Sequence, residues 1–583
     1  MTIAASKAPF DPGIEDSSTI VAEGSVTVSE KAVWFNLDSL IDPNITGGRV
    51  PSYKEGQPEW AKGHLALEDN GWKNQVMMYA LQGLVNRTGP RLMYDTQFWN
   101  WKPADQTWRD YYAKAKGIEF ETLTDMYEVI DRFRGAFKGL VVHDPSVEQS
   151  LYVACMLAGL DDLLPVRPDV AGTLTAKYPE LKIVHDLVGR WQDEFAPLDW
   201  AIDNLLPRCR PGMIYSVDNL WTGMSIHTLD LAVARRAFIF RCSTKTEYAE
   251  DAKRIWRIHS YSGPNCGVYG WGEPEDRYCQ MASMNSNYIM CTEAPNLSFH
   301  AQVPVEAKSF RQRSHVDKSK LVLEEDKYCV AFMTTEGDAL KIHMCFQGGA
   351  WQDPCRGKVV VNWGFQPRML DVAPAMAEYY YNTMTDKDYF FCGCSGAGYT
   401  YPNWMPEPDE FFCETDKFME KADLQAMDCW IHFCRPVYER YAELSPHTEA
   451  FILPCGPGQV KMTRAGTPVI LRFSGLHYFP SEKTAEDMAE AIKKAAANIL
   501  YKPAFITVFA VPDAKGNTTA QNGFCPEDFA RVAEILGDKE YKIVTLEEMA
   551  WAAKEFAKRY PDRVNRPQSR ERQTRVGVNV MQE

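Results

Sequence analysis

Between residues 328 and 546 seven short apolar runs recur: "YCVAFMTT", "KVVVNWG", "YFFCGCS", "EAFILPCG", "PVILRFS", "AFITVFA" and "YKIVTL". Val, Ile and Phe fill them without the alternation that marks a sheet with one wet face, so both faces must be covered. The intervening "PAMAEYYYNTM", "TDKFMEKADLQAMDCWIHFCRPVYERYA", "TAEDMAEAIKKAAANIL" and "CPEDFARVAEILG" have helical spacing and supply that cover. Strands alternating with helices imply a parallel sheet, closed as a (β/α) barrel or open as a doubly wound sheet. Polar residues gather directly after the strands, as at the carboxyl face of a barrel, and this favours the barrel.

A similar alternation precedes it, with strand-like "GLVVHDP", "MIYSVDN", "AFIFRCS" and "GVYGWG" separated by helical stretches such as "SVEQSLYVACMLAGL". The expected fold is α/β: a C-terminal parallel (β/α) barrel-like domain over residues 311–557, preceded by an N-terminal α/β domain over 30–310. A polar leader occupies 1–29, and an Arg-rich tail, 558–583, is expected to be solvated.

At 583 residues the chain is long enough for two or three domains. A formal charge of -15 argues against nucleic acid as a partner, because phosphate neutralisation needs a basic surface. Neither a secretory signal nor an apolar run long enough to span a bilayer is visible, so no membrane partner is expected. The 16 cysteines then read as reduced thiols in a cytoplasmic protein. Rossmann and P-loop signatures are missing, and no cofactor or metal is expected. Nothing in the sequence addresses the oligomeric state.

The strand ends define a candidate pocket. "TTEGDAL" offers Glu336 and Asp338, "NWGFQPR" offers Asn362, Trp363 and Arg368, and "RFSGLHYF" offers Arg472 and His477. Asp338 and Glu336 are the candidate acid and base, since paired carboxylates divide those roles when their environments differ. Acid–base cleavage with a carboxyl group on each side of the scissile bond needs a second acid, and Glu273 of "YGWGEPED" is one choice beside Asp513, Glu547 and Glu548. After the third strand comes "GAGYTYP": Gly396 and Gly398 permit a sharp turn at positive φ, and Tyr399 and Tyr401 carry rings and hydroxyls toward a ligand.

That heptad resembles the signature of the GxGYxYP family, with Gly396, Gly398, Tyr399, Tyr401 and Pro402 all in place. The resemblance extends to "LQGLVNRTGPRLMYD", "APNLSFHAQ", "TTEGDAL", "NWGFQP" and the run leading into "GAGYTYP", covering most of residues 30–555. It implies a glycoside hydrolase acting on a carbohydrate, with Trp363, Tyr399 and Tyr401 as sugar platforms. The family's Asp-Gly-Asp-Asn at the first strand end is Glu336-Gly337-Asp338-Ala339 here, so the acids are kept and the amide is not. Two other readings use the same pocket: a metal-dependent hydrolase or lyase with Asp338, His343 and His477 as ligands, and a sugar-binding protein without activity.

Overall fold

The computed structural model describes residues 30–42, 71–96, 103–217, 225–242, 249–272, 274–290, 294–306, 310–334, 340–429, 434–473, 475–476, 479–480, 483–515 and 523–570. The N-terminal half holds three small sheets rather than one. β1 (Ala32–Asn36), β2 (Leu92–Asp95) and β3 (Phe120–Leu123) pair in the order β2-β1-β3. β4 (Gly139–Val142), β5 (Leu163–Val166) and β6 (Ile183–Asp186) follow as β5-β4-β6. β7 (Met213–Ser216), β8 (Phe238–Phe240), β9 (Gly267–Gly270) and β10 (Tyr288–Met290) form the third sheet, β10-β9-β7-β8. Every pairing within these sheets is parallel, as the alternating pattern requires.

The C-terminal half is a nearly closed sheet of eight strands. These are β11 (Tyr328–Thr334), β12 (Val361–Phe365), β13 (Asp388–Cys392), β14 (Ala426–Asp428), β15 (Ala450–Met462), β16 (Pro468–Phe473), β17 (Ala504–Ala510) and β18 (Tyr541–Ile543). Their order is β16-β15-β14-β13-β12-β11-β17, and β18 also pairs with β11. The segment after β16 approaches β17: the Phe509 amide donates to the Leu476 carbonyl at 3.1 Å and the Phe479 amide to the Phe509 carbonyl at 2.7 Å.

Two expectations need correction. The sheet is not parallel throughout: Phe451–Leu453 of β15 run beside Val469–Leu471 in the same direction, whereas the returning arm, Gln459–Met462, pairs with Pro468–Leu471 antiparallel. Ile470 lies opposite Ile452 and again opposite Val460, so the chain passes the same β16 residues twice. The glycine and proline of "PCGPG", read as a loop after a strand, lie within β15, where proline cannot donate to a ladder and glycine tolerates the bend. The long helix expected over residues 415–442 is two helices, Asp409–Ala422 and Arg435–Leu444, with β14 between them. Asp423 ends the first in a left-handed turn at φ 56°, Pro436 opens the second, and pairing with β13 and β15 overrides the helical propensity of "LQAMD".

The two faces of this sheet belong to different clusters. Ala331, Met333, Tyr389, Phe391, Ile452 and Phe509 pack against the helix Leu546–Arg559, which therefore covers the inner face. The outer face joins the remaining helices and the N-terminal sheets in one larger core. Asn362 closes a split where β12 and β18 share the edge of β11. Its amide donates to the carbonyls of Phe332 (2.9 Å) and Val544 (3.3 Å) and accepts from the Leu546 amide (2.7 Å).

Past the helix, the Asn565 amide donates to the Val460 carbonyl (2.9 Å) and the Gln568 amide to the Gly458 carbonyl (2.6 Å). The beginning of the Arg-rich tail thus docks on β15, and residues 571–583 lie outside the described residues.

A second seam joins the halves through "GAGYTYP". Tyr399 pairs antiparallel with Ile289 of β10, donating at 2.8 Å and accepting at 2.7 Å, so the motif makes a one-residue bridge to the edge of the third N-terminal sheet. Ser283 accepts the Tyr401 amide at 2.9 Å and lies 2.9 Å from the Thr400 hydroxyl. Both glycines have positive φ, 127° at Gly396 and 141° at Gly398. A Cβ at Gly396 would sit 2.2 Å from the Tyr441 hydroxyl, and one at Gly398 would sit 2.3 Å from the Tyr288 ring.

Two measurements check these contacts. The linker residue His315 places Nε2 at 2.7 Å from Asp423 and Nδ1 at 2.9 Å from Glu547. Those hydrogen bonds raise its pKa from the usual 6.5 to about 9. A raised folded-state pKa stabilises fully below the unfolded value, and the gain disappears as pH climbs through the folded one. The urea midpoint of the full chain should therefore fall between about pH 6.5 and about pH 9, and His315→Asn should flatten that slope; equal slopes in both proteins would contradict the assignment. Gly398→Ala combines an unfavourable φ with a clash and should destabilise by about 2–4 kcal/mol, read by denaturant titration; a loss below about 0.5 kcal/mol would be inconsistent with this packing.

Candidate functional site

Strand register assigns side chains to faces. Asp428 pairs with Ile452, and Ile452 with Ile470, so Asp428, Ile470 and Arg472 share the inner face near the carboxyl ends of their strands. Arg472 is wholly buried, forms an ion pair with Asp428 and lies 4.4 Å over the ring of Phe509. Burial works against the guanidinium charge and lowers its pKa. The Ser395 amide, from the loop after β13, donates to the Asp428 carbonyl at 2.8 Å. A charged pair on the inner face at the carboxyl ends is the kind of feature that loops of a (β/α) barrel use for chemistry.

The third N-terminal sheet brings its own strand ends to this region. Trp271 follows β9 directly and stacks on Tyr399 with ring centroids 6.3 Å apart and planes at 11°. The Tyr399 hydroxyl donates to Glu275 at 2.9 Å and lies 3.2 Å from the Tyr401 hydroxyl. Both phenols are 2% exposed, and burial raises their pKa values, so they remain protonated hydrogen-bonding groups. Trp271 is only partly buried and is the ring of this cluster with a face to spare.

The sequence candidates separate into groups. Arg368, Gly396, Gly398, Tyr399 and Tyr401 meet in the seam between the halves. Arg368 donates through Nε to the Ala397 carbonyl at 2.6 Å, pairs with Glu414 at 2.9 Å and lies 4.2 Å over the Tyr288 ring, so it props the glycine turn. Asn362 and Arg472 stand on the inner face. Trp363 points to the outer face, where its Nε1 donates to Asp388 at 2.9 Å and its ring meets Trp351 edge-on. Glu336, Asp338, Glu273 and His477 lie outside the described residues.

The alternative acids have other partners. Glu547 and Glu548 contact His315 and Lys542, and Asp513 caps the Ala514 amide at 2.7 Å. His343 accepts the Gln366 amide at Nε2 (3.0 Å), which leaves its proton on Nδ1 for Gln347 (3.1 Å). With both ring nitrogens engaged, His343 does not fit the metal-ligand role considered for it. Among the described residues one group has metal-ligand proximity, Asp353, Cys525 and Glu527, with ligand atoms within 4.8 Å. There the Cys525 thiol donates to Asp528 at 3.1 Å, burial pushes its pKa up, and Glu527 pairs with Lys515.

Asp428 and Trp271 were missed for different reasons. Asp428 was hidden inside an expected helix. Trp271 stands in "GVYGWG", directly after a recognised strand, and the strand-end rule used for the second half would have found it.

Comparison with known proteins fits this geometry. Residues 64–135 match the first domain of the family description "GxGYxYP_N", residues 137–209 its second domain, and residues 326–551 the "GxGYxYP putative glycoside hydrolase C-terminal domain". No curated protein matches the chain. A solved structure described as "a putative hydrolase from Bacteroides thetaiotaomicron VPI-5482" is 18% identical with a TM-score of 0.70, over 90% of this chain and 95% of that one. At that identity the likeness shows the fold alone. The sequence matches on both sides of the seam, the eight-stranded sheet and the intact Gly396-Ala-Gly-Tyr-Thr-Tyr-Pro402 turn place the chain in the GxGYxYP family.

Proposed function

We propose that the chain is a glycoside hydrolase whose reaction takes place at the carboxyl ends of the C-terminal sheet, beside the seam with the third N-terminal sheet. The observation carrying this reading is the buried Asp428–Arg472 pair on the inner face. A buried ion pair contributes little net stability, and a hydrophobic pair of similar volume often does as well, so its presence at strand ends speaks for a site. The family description supports the reaction class.

Asp338 is assigned as the general acid or base, with Glu336 beside it; both follow the end of β11 within four residues in sequence. Glu273, two residues before Glu275, is the proposed second acid, contributed from the other side of the seam. Glycosidic cleavage needs one carboxyl group to protonate the leaving oxygen and another to activate water or to attack the anomeric carbon. In this assignment the buried Arg472–Asp428 pair fixes the strand ends behind the sugar, and Trp271 offers its ring to the apolar face of the pyranose. Tyr399 and Tyr401 act one layer back, holding Trp271 and Glu275 in place.

The test is hydrolysis of a panel of aryl glycosides and oligosaccharides by the full chain. On the substrate so identified, Asp338→Asn should lower kcat by about a hundredfold to ten-thousandfold with an unchanged melting temperature. Full activity in a folded Asp338→Asn protein would remove this residue from the mechanism. Saturable sugar binding with no turnover of any substrate would instead make the protein a lectin-like binder.

A further inference from the structure

A polar cavity of about 550 Å³ opens on the outer face of the sheet, between the start of the helix Arg435–Leu444 and the returning arm of β15. Its walls include Arg435, Tyr438, Leu453, Gln459, Lys461 and Asn565. Alternation along β15 sends Val460 to the inner cluster, and therefore Gln459 and Lys461 to the outer face. The cavity is thus separate from the Asp428–Arg472 pair, although Leu471, opposite both Leu453 and Gln459, directly precedes Arg472.

Among the described residues, Arg435 is the one wall side chain with a charged partner, Glu439. The side chains of Lys461, Tyr438, Gln459 and Asn565 make no hydrogen bond or ion pair with any described residue. Lys461 is about half buried, and burial and the neighbouring Arg435 both lower its pKa. Arg435 is shared with Glu439 at 3.2 Å. The helix that begins at Arg435 has no side-chain cap, and the positive end of its dipole lies at the cavity rim, although the Val437 and Tyr438 amides already donate to the Cys434 carbonyl. A half-buried ammonium beside another cation, with no described carboxylate paired to the ammonium itself, is an unfavourable arrangement. An anionic ligand removes the imbalance, and the remaining groups describe it further: amide and phenol groups for hydroxyls, and the Tyr438 ring and Leu453 for an apolar face.

We infer that this cavity binds a sugar acid, with the carboxylate on Lys461 and Arg435 and the ring hydroxyls on Gln459, Asn565 and Tyr438. The sugar body in this assignment rests on the carbohydrate reading above, whereas the oxyanion does not. Because binding is read without turnover, its failure is distinguishable from failure of the hydrolase proposal.

Isothermal titration of the full chain at fixed ionic strength compares glucuronate, glucose and inorganic phosphate. Glucuronate should bind saturably and at least about tenfold tighter than glucose, and Lys461→Met should weaken it by about tenfold or more. The variant removes a charge that pairs with no described carboxylate, so its melting temperature should be unchanged or higher. Should Lys461→Met fail to fold, Lys461→Gln provides the same comparison while keeping a polar group. Glucuronate binding no tighter than glucose, or equally tight in wild type and a folded variant, would overturn the inference. Lys461-dependent binding of phosphate without glucuronate would overturn it as well, making the cavity a site for inorganic oxyanions only.

Discussion

The C-terminal half depends on β11, a seven-residue strand buried from its second residue onward and paired along both edges. β17 matches it residue for residue, while the opposite edge is divided between β18, over Tyr328–Val330, and β12, at Met333. Two strands on one edge leave backbone groups between them that neither can satisfy, and buried groups of this kind must find partners. Asn362 satisfies an amide and two carbonyls at that gap. A residue that looks like a ligand group from its place near a strand end is therefore required by the sheet itself.

Covering both faces of such a sheet also determines where a site can form. The helix Leu546–Arg559 occupies the inner face, and the other helices with the N-terminal sheets occupy the outer one. Polar chemistry is left to the carboxyl rim, where Asp428 and Arg472 stand, and to margins such as the cavity beside β15. The family signature serves this architecture. Its glycines admit the Tyr288 and Tyr441 side chains where a Cβ would collide, and its backbone bridges to the edge of an N-terminal sheet at Ile289. Tyr399 then links the seam to the site through Trp271 and Glu275.

The expected strands and most helices were legible because continuous apolar runs and helical periodicity are local properties. β14 was not, since its three residues carry too few side chains to outweigh the helical signal on either side. The reversal within β15 was equally hidden: "PCGPG" marks a bend in any context, and only the neighbouring strand decides whether pairing continues beyond it. Candidate residues divided in the same way. Arg368, Tyr399 and Tyr401 stand out as strand-end candidates, but their burial in a seam depends on a sheet formed much earlier in the chain.

The sequence by itself determined the α/β class, the two alternating halves, the membership signalled by "GAGYTYP" and the need for positive φ at its glycines. Each of these follows from residue chemistry acting over a few positions. Tertiary structure decided which face every polar strand-end residue occupies: Trp363 outward into the core, Asn362 inward to knit the sheet, and Arg472 inward to meet Asp428. Side chains alternate with a period of two, so a bulge or a strand too short to recognise changes the outcome for every residue after it. That information lies in the register between distant segments and becomes definite when they pair.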